Sequence, residues 1–377
     1  MRTWNLLASS FVAVMLAGAA GAAGAAGAAA RASMQRRDAL GRVALGRDAL
    51  GRDPSRTSAR AAVAVPPVQL PADEAPHHDA VEWWYFNGHL TGRDRAGHVH
   101  EYGYEYVTFQ FLGLGPTPQY FGDFAVTDLT ARTFHYGEEH AAHAVPVEHD
   151  SFALSTGPWS MRGTGTSDVL HAGVDGYSVQ LDLRATRPAV LHGARGVVNL
   201  GPLGTSSYYS FTALRTTGTL VEHGTPVEVT GQSWMDHEWG AIQLFGGAGW
   251  DWFSLQLSDG RQYMLYFVKD KSGKVVQALG TEVGPQGSAP LAAAAIAERD
   301  LGSWTSPATG IRYGSGWSLA VPGGHLVVTP DLVDQELDLA TTQGSVYWEG
   351  DSSVSGVVAG RPVHGVAYVE LNPPGQL

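Results

Sequence analysis

Gly224-Thr-Pro-Val227, followed by Gly231-Gln-Ser-Trp-Met-Asp236, returns near the end of the chain as Gly360-Arg-Pro-Val363, followed by Gly365-Val-Ala-Tyr-Val-Glu370. The second copy is two residues shorter between its halves. Each copy follows an aromatic pair, Tyr208-Tyr209 in one case and Tyr347-Trp348 in the other. The beginnings also agree, because Trp83-Trp84-Tyr85-Phe86 resembles Trp250-Asp251-Trp252-Phe253. A pattern that recurs in this order reads as two copies of one structural unit, joined between Gly240 and Gly249. Each copy is long enough for a small antiparallel barrel that holds one apolar ligand in its mouth. Asp236 and Glu370 then occupy equivalent places, closing their respective barrels.

Local patterns around the repeat point to strands. Tyr177, Val179, Leu181 and Leu183 alternate with polar residues, as on a half-buried strand. Tyr102, Tyr104 and Tyr106 share one parity, and Val107, Phe109 and Phe111 take over the other. Either a bulge or a strand buried on both faces accounts for that switch. Ser258-Asp259-Gly260 and Pro322-Gly323-Gly324 are turn signals. Leu291–Leu301, with its alanine run, is the one helix candidate. The expected class is all-β, built as two closed or nearly closed antiparallel barrels.

The N-terminus reads differently. Met1-Arg2 precedes an apolar, small-residue run from Leu6 to Ala30, which has the form of a secretory signal over residues 1–30. That run is too short and too glycine-rich for an integral membrane span. Ala-Leu-Gly-Arg recurs three times within residues 31–65, a low-complexity basic linker. Residues 66–240 and 241–377 are left for the two barrel domains. The first 60 residues hold nine Arg and three Asp, so a chain of net charge −12 leaves −18 to the residues from Ala61 onward. So acidic a body is a poor partner for nucleic acid. With no cysteine in the sequence, neither a disulfide nor a lipoprotein anchor can form.

Chemistry concentrates at Trp234-Met-Asp-His-Glu-Trp239. On an extended segment Trp234, Asp236 and Glu238 face one way and His237 the other, with the two carboxylates roughly 6.6 Å apart along the strand. Burial beside an indole raises at least one carboxyl pKa and keeps that group protonated near neutral pH. The segment is then either an acid catalyst or a buried ion-pair cluster that fixes a loop. Asp236, His237 and Glu238 are the catalytic candidates, one carboxyl as proton donor and His237 as orienting group or base for water. Glu82, Trp83, Trp84, Tyr85, Trp234, Trp239, Trp250 and Trp252 are the candidate substrate-binding residues. Their indole faces could shelter a carbocation, or they are ordinary barrel core. Glu82 and Asp251, beside tryptophan pairs, either cap indole N–H groups or mark the barrel entrance.

Other chemistries find little support. There is no Gly-x-Ser-x-Gly and no cysteine nucleophile. His77-His78-Asp79 and His98-x-His100 lack a third ligand in sequence, so no metal site is assigned. The histidines between residues 135 and 149 read as a solvated loop. No dinucleotide or phosphate loop is present, and no cofactor is expected.

Glu82-Trp-Trp-Tyr-Phe-Asn-Gly-His-Leu90, Val190-Leu-His-Gly193, Ser207-Tyr-Tyr-Ser210, Trp234–Gly240, Gly249-Trp-Asp-Trp-Phe253, Asp334-Gln-Glu336, Tyr347-Trp-Glu-Gly350 and Gly365–Leu371 carry a family resemblance. Together these pieces resemble the lipocalin-like family of hydroxyneurosporene synthase (carotenoid 1,2-hydratase) and the AttH-type secreted proteins. The resemblance implies two lipocalin-like (calycin-like) barrels packed side by side. It also implies a hydro-lyase that adds water to a double bond of a polyene, isoprenoid or polyketide, with Asp236 as the acid. Many AttH-type members are merely named secreted hydrolases. Where the family continues Thr-Gly-Tyr after Glu370-Leu371, this chain has Asn-Pro-Pro-Gly, and the contact of that tyrosine has no counterpart here. A non-catalytic carrier of a lipid or other hydrophobic ligand is the alternative. The expected partners are a hydrophobic small molecule and, with export to the periplasm or the medium, an export or ABC-transporter association.

Overall fold

The computed structural model describes residues 65–376; the signal segment and nearly all of the basic linker lie outside them. Twelve strands form the first sheet: β1 (Val81–Arg93), β2 (Val99–Phe111), β3 (Gln119–Asp128), β4 (Thr133–Ala142), β5 (Phe152–Thr156), β6 (Trp159–Gly163), β7 (Ser167–Val174), β8 (Tyr177–Ala185), β9 (Val190–Leu191), β10 (Val197–Asn199), β11 (Thr205–Glu222) and β12 (Thr225–Gly240). The remaining strands are β13 (Gly249–Leu257), β14 (Gln262–Lys269), β15 (Val275–Gly284), β16 (Gly287–Leu291), β17 (Ala297–Asp300), β18 (Ser303–Thr305), β19 (Arg312–Gly314), β20 (Trp317–Val321), β21 (Gly324–Pro330), β22 (Glu336–Leu339), β23 (Ser345–Val358) and β24 (Arg361–Asn372). All but the small β18–β19 hairpin belong to the second sheet. Among the described residues every helical piece is a three-residue 3-10 turn.

Both sheets are antiparallel meanders wound the same way. In the first, β1 pairs on one side with β2 and on the other with the last strand, β12. In the second, β13 pairs with β14 and with the last strand, β24. Bringing the last strand back onto the first curls each sheet into a nearly closed lipocalin-like barrel. The internal repeat is legible in the register. Tyr85 lies opposite Asp236 and Trp252 lies opposite Glu370, while Ser210 and Glu349 flank those acids from the next strand over.

Each barrel has its own apolar interior. Trp84, Phe86, Tyr104, Tyr106, Met235 and Trp239 contribute to the first, and Phe253, Leu255, Trp317, Trp348 and Val369 to the second. A third apolar cluster draws on both sheets, joining Tyr85, Val107, Tyr208 and Trp234 to Trp250, Trp252, Met264 and Tyr266. The barrels therefore pack through the outer faces of their central strands, and those strands are buried on both sides. This resolves the parity switch on β2. Its register with β1 is unbroken, its tyrosines enter the barrel, and Val107 and Phe111 enter the seam between the sheets. The expected half-buried strand is β8, whose apolar residues alternate with exposed ones.

Two local expectations are corrected. The alanine run after Leu291 is no helix: it makes one 3-10 turn, Ala293–Ala295, between two edge strands. Alanine's helix propensity is worth less than a turn of exposed helix needs without an apolar face to bury. Of the histidines between residues 135 and 149, His149 is exposed outside the strands as expected, and the others differ. His135 and His140 sit on β4, His140 stacks on Phe121 at 4.7 Å, and His143 stacks on Tyr120 at 4.2 Å.

Candidate functional site

The strand β12 places alternate residues on its two faces, and both faces are buried. Trp234, Asp236 and Glu238 enter the seam; Met235, His237 and Trp239 enter the first barrel. β1 divides its residues the same way, with Trp83 and Tyr85 toward the seam and Trp84 inward. The sequence-selected residues thus form two groups. Trp83, Tyr85, Trp234, Asp236, Glu238, Trp250 and Trp252 meet in the seam, while Glu82, Trp84, His237 and Trp239 meet inside the first barrel.

In the seam, Asp236 is the most completely bonded acid. The Trp234 indole donates to Oδ1 at 2.7 Å, the Ser210 hydroxyl donates to the same oxygen, and Tyr208 donates to Oδ2 at 2.7 Å. Both outer partners continue into further bonds. The Trp252 indole donates to Tyr208 at 3.0 Å, while His192 meets Ser210 at 2.6 Å and Thr281 of the second sheet at 2.8 Å. Among the described residues no cation lies within ion-pair distance of Asp236 or Glu238. Burial raises the Asp236 pKa to about 7, against the opposing hydrogen bonds from Ser210, Tyr208 and Trp234. Burial likewise pushes Glu238 well up, although Ser206 donates to it.

Further acids share this space. Glu370 accepts from the Trp250 indole at 3.2 Å, and burial raises it to about 7. Glu349 accepts from Tyr85 at 2.7 Å and is raised by burial and by Glu370. Glu105 is fully buried with neither carboxyl oxygen hydrogen-bonded, and burial followed by the charge of Glu349 raises it strongly. An uncompensated carboxylate at such depth is costly, so burial favours the protonated form of each of these groups. Burial drives His192 the other way, to about 3, so its imidazole is neutral.

This arrangement can satisfy Asp236 both with and without its proton. With Asp236 ionised, Ser210 donates to it and His192 Nε2–H donates to Ser210. With Asp236 protonated, the carboxyl donates to Ser210, Ser210 donates to His192 Nε2, and His192 Nδ1–H turns to Thr281. A tautomer change of one neutral imidazole thus accommodates either charge state.

Inside the barrel, Glu82 Oε1 lies 2.7 Å from His237 Nε2 and 2.7 Å from His77 Nδ1. The other oxygen accepts from the His77 backbone N–H at 2.8 Å and from Gln110 at 3.0 Å. His237 Nδ1 lies 3.0 Å from the Tyr209 hydroxyl, which donates to Glu74 at 2.7 Å. Burial alone would raise Glu82, but hydrogen bonds from His237 and His77 outweigh it and hold the carboxyl below its usual range. His77 stacks on Trp239 at 4.0 Å and Trp84 on His237 at 4.6 Å. His237 therefore faces away from Asp236. Neither Glu82 nor Asp251 caps an indole: Glu82 binds the two histidines, and Asp251 pairs with Lys269. The indole-capping acids are Asp236 and Glu370.

Sequence reasoning passed over His192, Ser210, Glu105 and Glu349 as site residues. His192 had one signal, its place in Val190–Gly193; its partners come from β11 and β15 and share no spacing with it. His77 finds no third ligand in its own segment; β1 and β12 bring Glu82 and His237 to it.

Comparison with known proteins agrees with the fold. No curated protein matches the chain in sequence. The AttH-type protein of Nitrosomonas europaea is similar in structure, with a TM-score of 0.74, 24% identity, and coverage of 84% of this chain and 99% of that one. Kievitone hydratase of Nectria haematococca superposes with a TM-score of 0.65 at 18% identity, covering 82% of this chain and 94% of that one. The sequence profile described as AttH-like matches residues 61–373, nearly all of the two-barrel body, and on that ground the chain belongs to the AttH-like family.

Proposed function

We propose that this protein adds water to a carbon–carbon double bond of an apolar polyene, isoprenoid or polyketide, with Asp236 as the general acid. The observation that carries this reading is a fully buried aspartate near neutral pKa, bonded only by hydroxyls and an indole. A structural ion-pair role would need a cation beside it. The name of the fungal relative, a hydratase, agrees with the reading, although that likeness bears on fold alone.

In the proposed step the Asp236 proton passes to one alkene carbon, and the positive charge develops on the other. The Trp234 and Trp252 rings, 6.1 Å apart and edge to face, offer π surface to that charge. Water bonds to the cationic carbon and returns its proton to the Asp236 carboxylate, so the acid is restored. Ser210, Tyr208 and His192 hold the carboxyl in place through both charge states. His237 takes no part, because it lies on the other face of β12.

The test is incubation of the full chain with a panel of polyenes and isoprenoids in oxygen-18 water. Label appearing in an alcohol product, lost in Asp236→Asn, supports the reading. Saturable binding of a panel member with no label uptake would establish the carrier instead.

A further inference from the structure

We propose that His77, Glu82 and His237 form a site for one divalent transition-metal ion, zinc by preference, at the end of the first barrel. The three potential ligand atoms, His77 Nδ1, a Glu82 carboxylate oxygen and His237 Nε2, lie within 4.8 Å of one another. They come from three separate places in the chain: the segment before β1, β1 itself and β12. Two imidazoles and one carboxylate are the donor set of borderline ions such as zinc, and three protein ligands leave a position for water.

The bonds around the three ligands point the same way. A metal-bound histidine normally donates its other ring N–H to an acceptor. His237 turns Nδ1 toward Tyr209, whose single hydroxyl hydrogen goes to Glu74, so the phenol oxygen is free to accept from Nδ1–H. His77 turns Nε2 toward Asp73 Oδ1 at 3.5 Å. Both histidines turn their inner nitrogen to Glu82 Oε1 at 2.7 Å, each with a lone pair there if its outer nitrogen is the donor, and an ion bound among the three would sit between these atoms and part them. Glu82 is fixed through its other oxygen by Gln110 and the His77 backbone. Without an ion, both inner nitrogens must instead carry hydrogens to share one carboxylate oxygen.

The site is independent of the Asp236 chemistry, and its readout does not involve activity. The full chain, stripped with chelator, is titrated with zinc alone and with cobalt alone. The expected result is one equivalent bound per chain, the visible absorption of low-coordinate cobalt, and a higher melting temperature with metal. His77→Ala and Glu82→Gln should abolish the stoichiometric binding, and His78→Ala should retain it. Tyr209→Phe keeps all three ligands and should weaken binding about 10–100-fold. No saturable binding, or binding that survives both His77→Ala and Glu82→Gln, overturns the proposal. If those two variants do not fold, Tyr209→Phe decides, and an unchanged affinity overturns it.

Discussion

Asp236 and His237 are adjacent in sequence and belong to separate hydrogen-bond networks on opposite faces of β12. Asp236 reaches Ser210, His192 and Thr281 across the seam, whereas His237 reaches Glu82 and His77 within the first barrel. Substitutions at these neighbours should therefore be separable in effect.

Asp236→Asn keeps the size of the side chain and removes its transferable proton. Turnover should fall about 10²–10⁴-fold, with ligand affinity and fold retained. Turnover per folded molecule, measured beside the melting temperature of the same preparation, checks this; an active variant would refute the acid assignment.

The pH dependence of stability follows from the raised carboxyls. Asp236 and Glu370 have folded-state pKa values of about 7, above their unfolded values. Between about pH 4 and 7 the folded state binds more protons, so their contribution is full below pH 4 and is lost as pH rises through 7. His192, held near 3, acts oppositely and costs stability as pH falls below about 6.5. The difference in stability between Asp236→Asn and the parent should isolate the aspartate, with the variant gaining on the parent from pH 5 to 8. A pH-independent difference would show that Asp236 does not titrate in that window.

Ser210→Ala removes a bond that lowers the Asp236 pKa and severs the link to His192. The Asp236 carboxyl carbon, followed by NMR, should titrate at higher pH in this variant. An unchanged midpoint would mean that the serine does not stabilise the ionised form.

Trp252 joins the sheets through Tyr208 and stands edge to face with Tyr85 at 5.5 Å. Trp252→Ala should cost about 3–5 kcal/mol and lower a single unfolding transition. Two separated calorimetric transitions would instead show barrels that unfold independently once the tryptophan is lost.

Gly103 lies on β2 beneath the second sheet, where an added Cβ would come within 2.4 Å of an Asp351 oxygen. Gly103→Val should therefore destabilise by about 1–3 kcal/mol through overpacking, without touching Asp236. Unchanged denaturant midpoints would contradict the tight approach of the sheets there.

How much the sequence disclosed depended on burial. Alternation on β8 was readable because one face is exposed. It also placed Trp234, Asp236 and Glu238 on one side of β12. It could not tell which side was barrel and which was seam, since β3 and β13 are buried along their whole length and carry apolar residues on both faces. Register equivalence of Asp236 and Glu370 follows from the repeat, because Gly231 to Asp236 and Gly365 to Glu370 keep one spacing and pair over the same span of the first strand. The meeting of His77 with His237 did not, because strand closure brings together residues with no sequence spacing in common. The alanine stretch misled because it sits at an exposed edge, where tertiary pairing overrides propensity.

The closing strands set the order in which the molecule can become functional. Val81 finds Gly240, and Trp250 finds Asn372, so each barrel is completed by its own far end. Such distant pairings form slowly, and the second waits until Asn372 has been synthesised. Until β13 and β24 dock, the face of β12 that bears Asp236 is open to water, and its carboxyl is an ordinary ionised aspartate. The acid is thus made by burial, and a chain truncated before Arg361 should keep Ser210, Tyr208 and Trp234 beside Asp236 and still hold its proton less tightly.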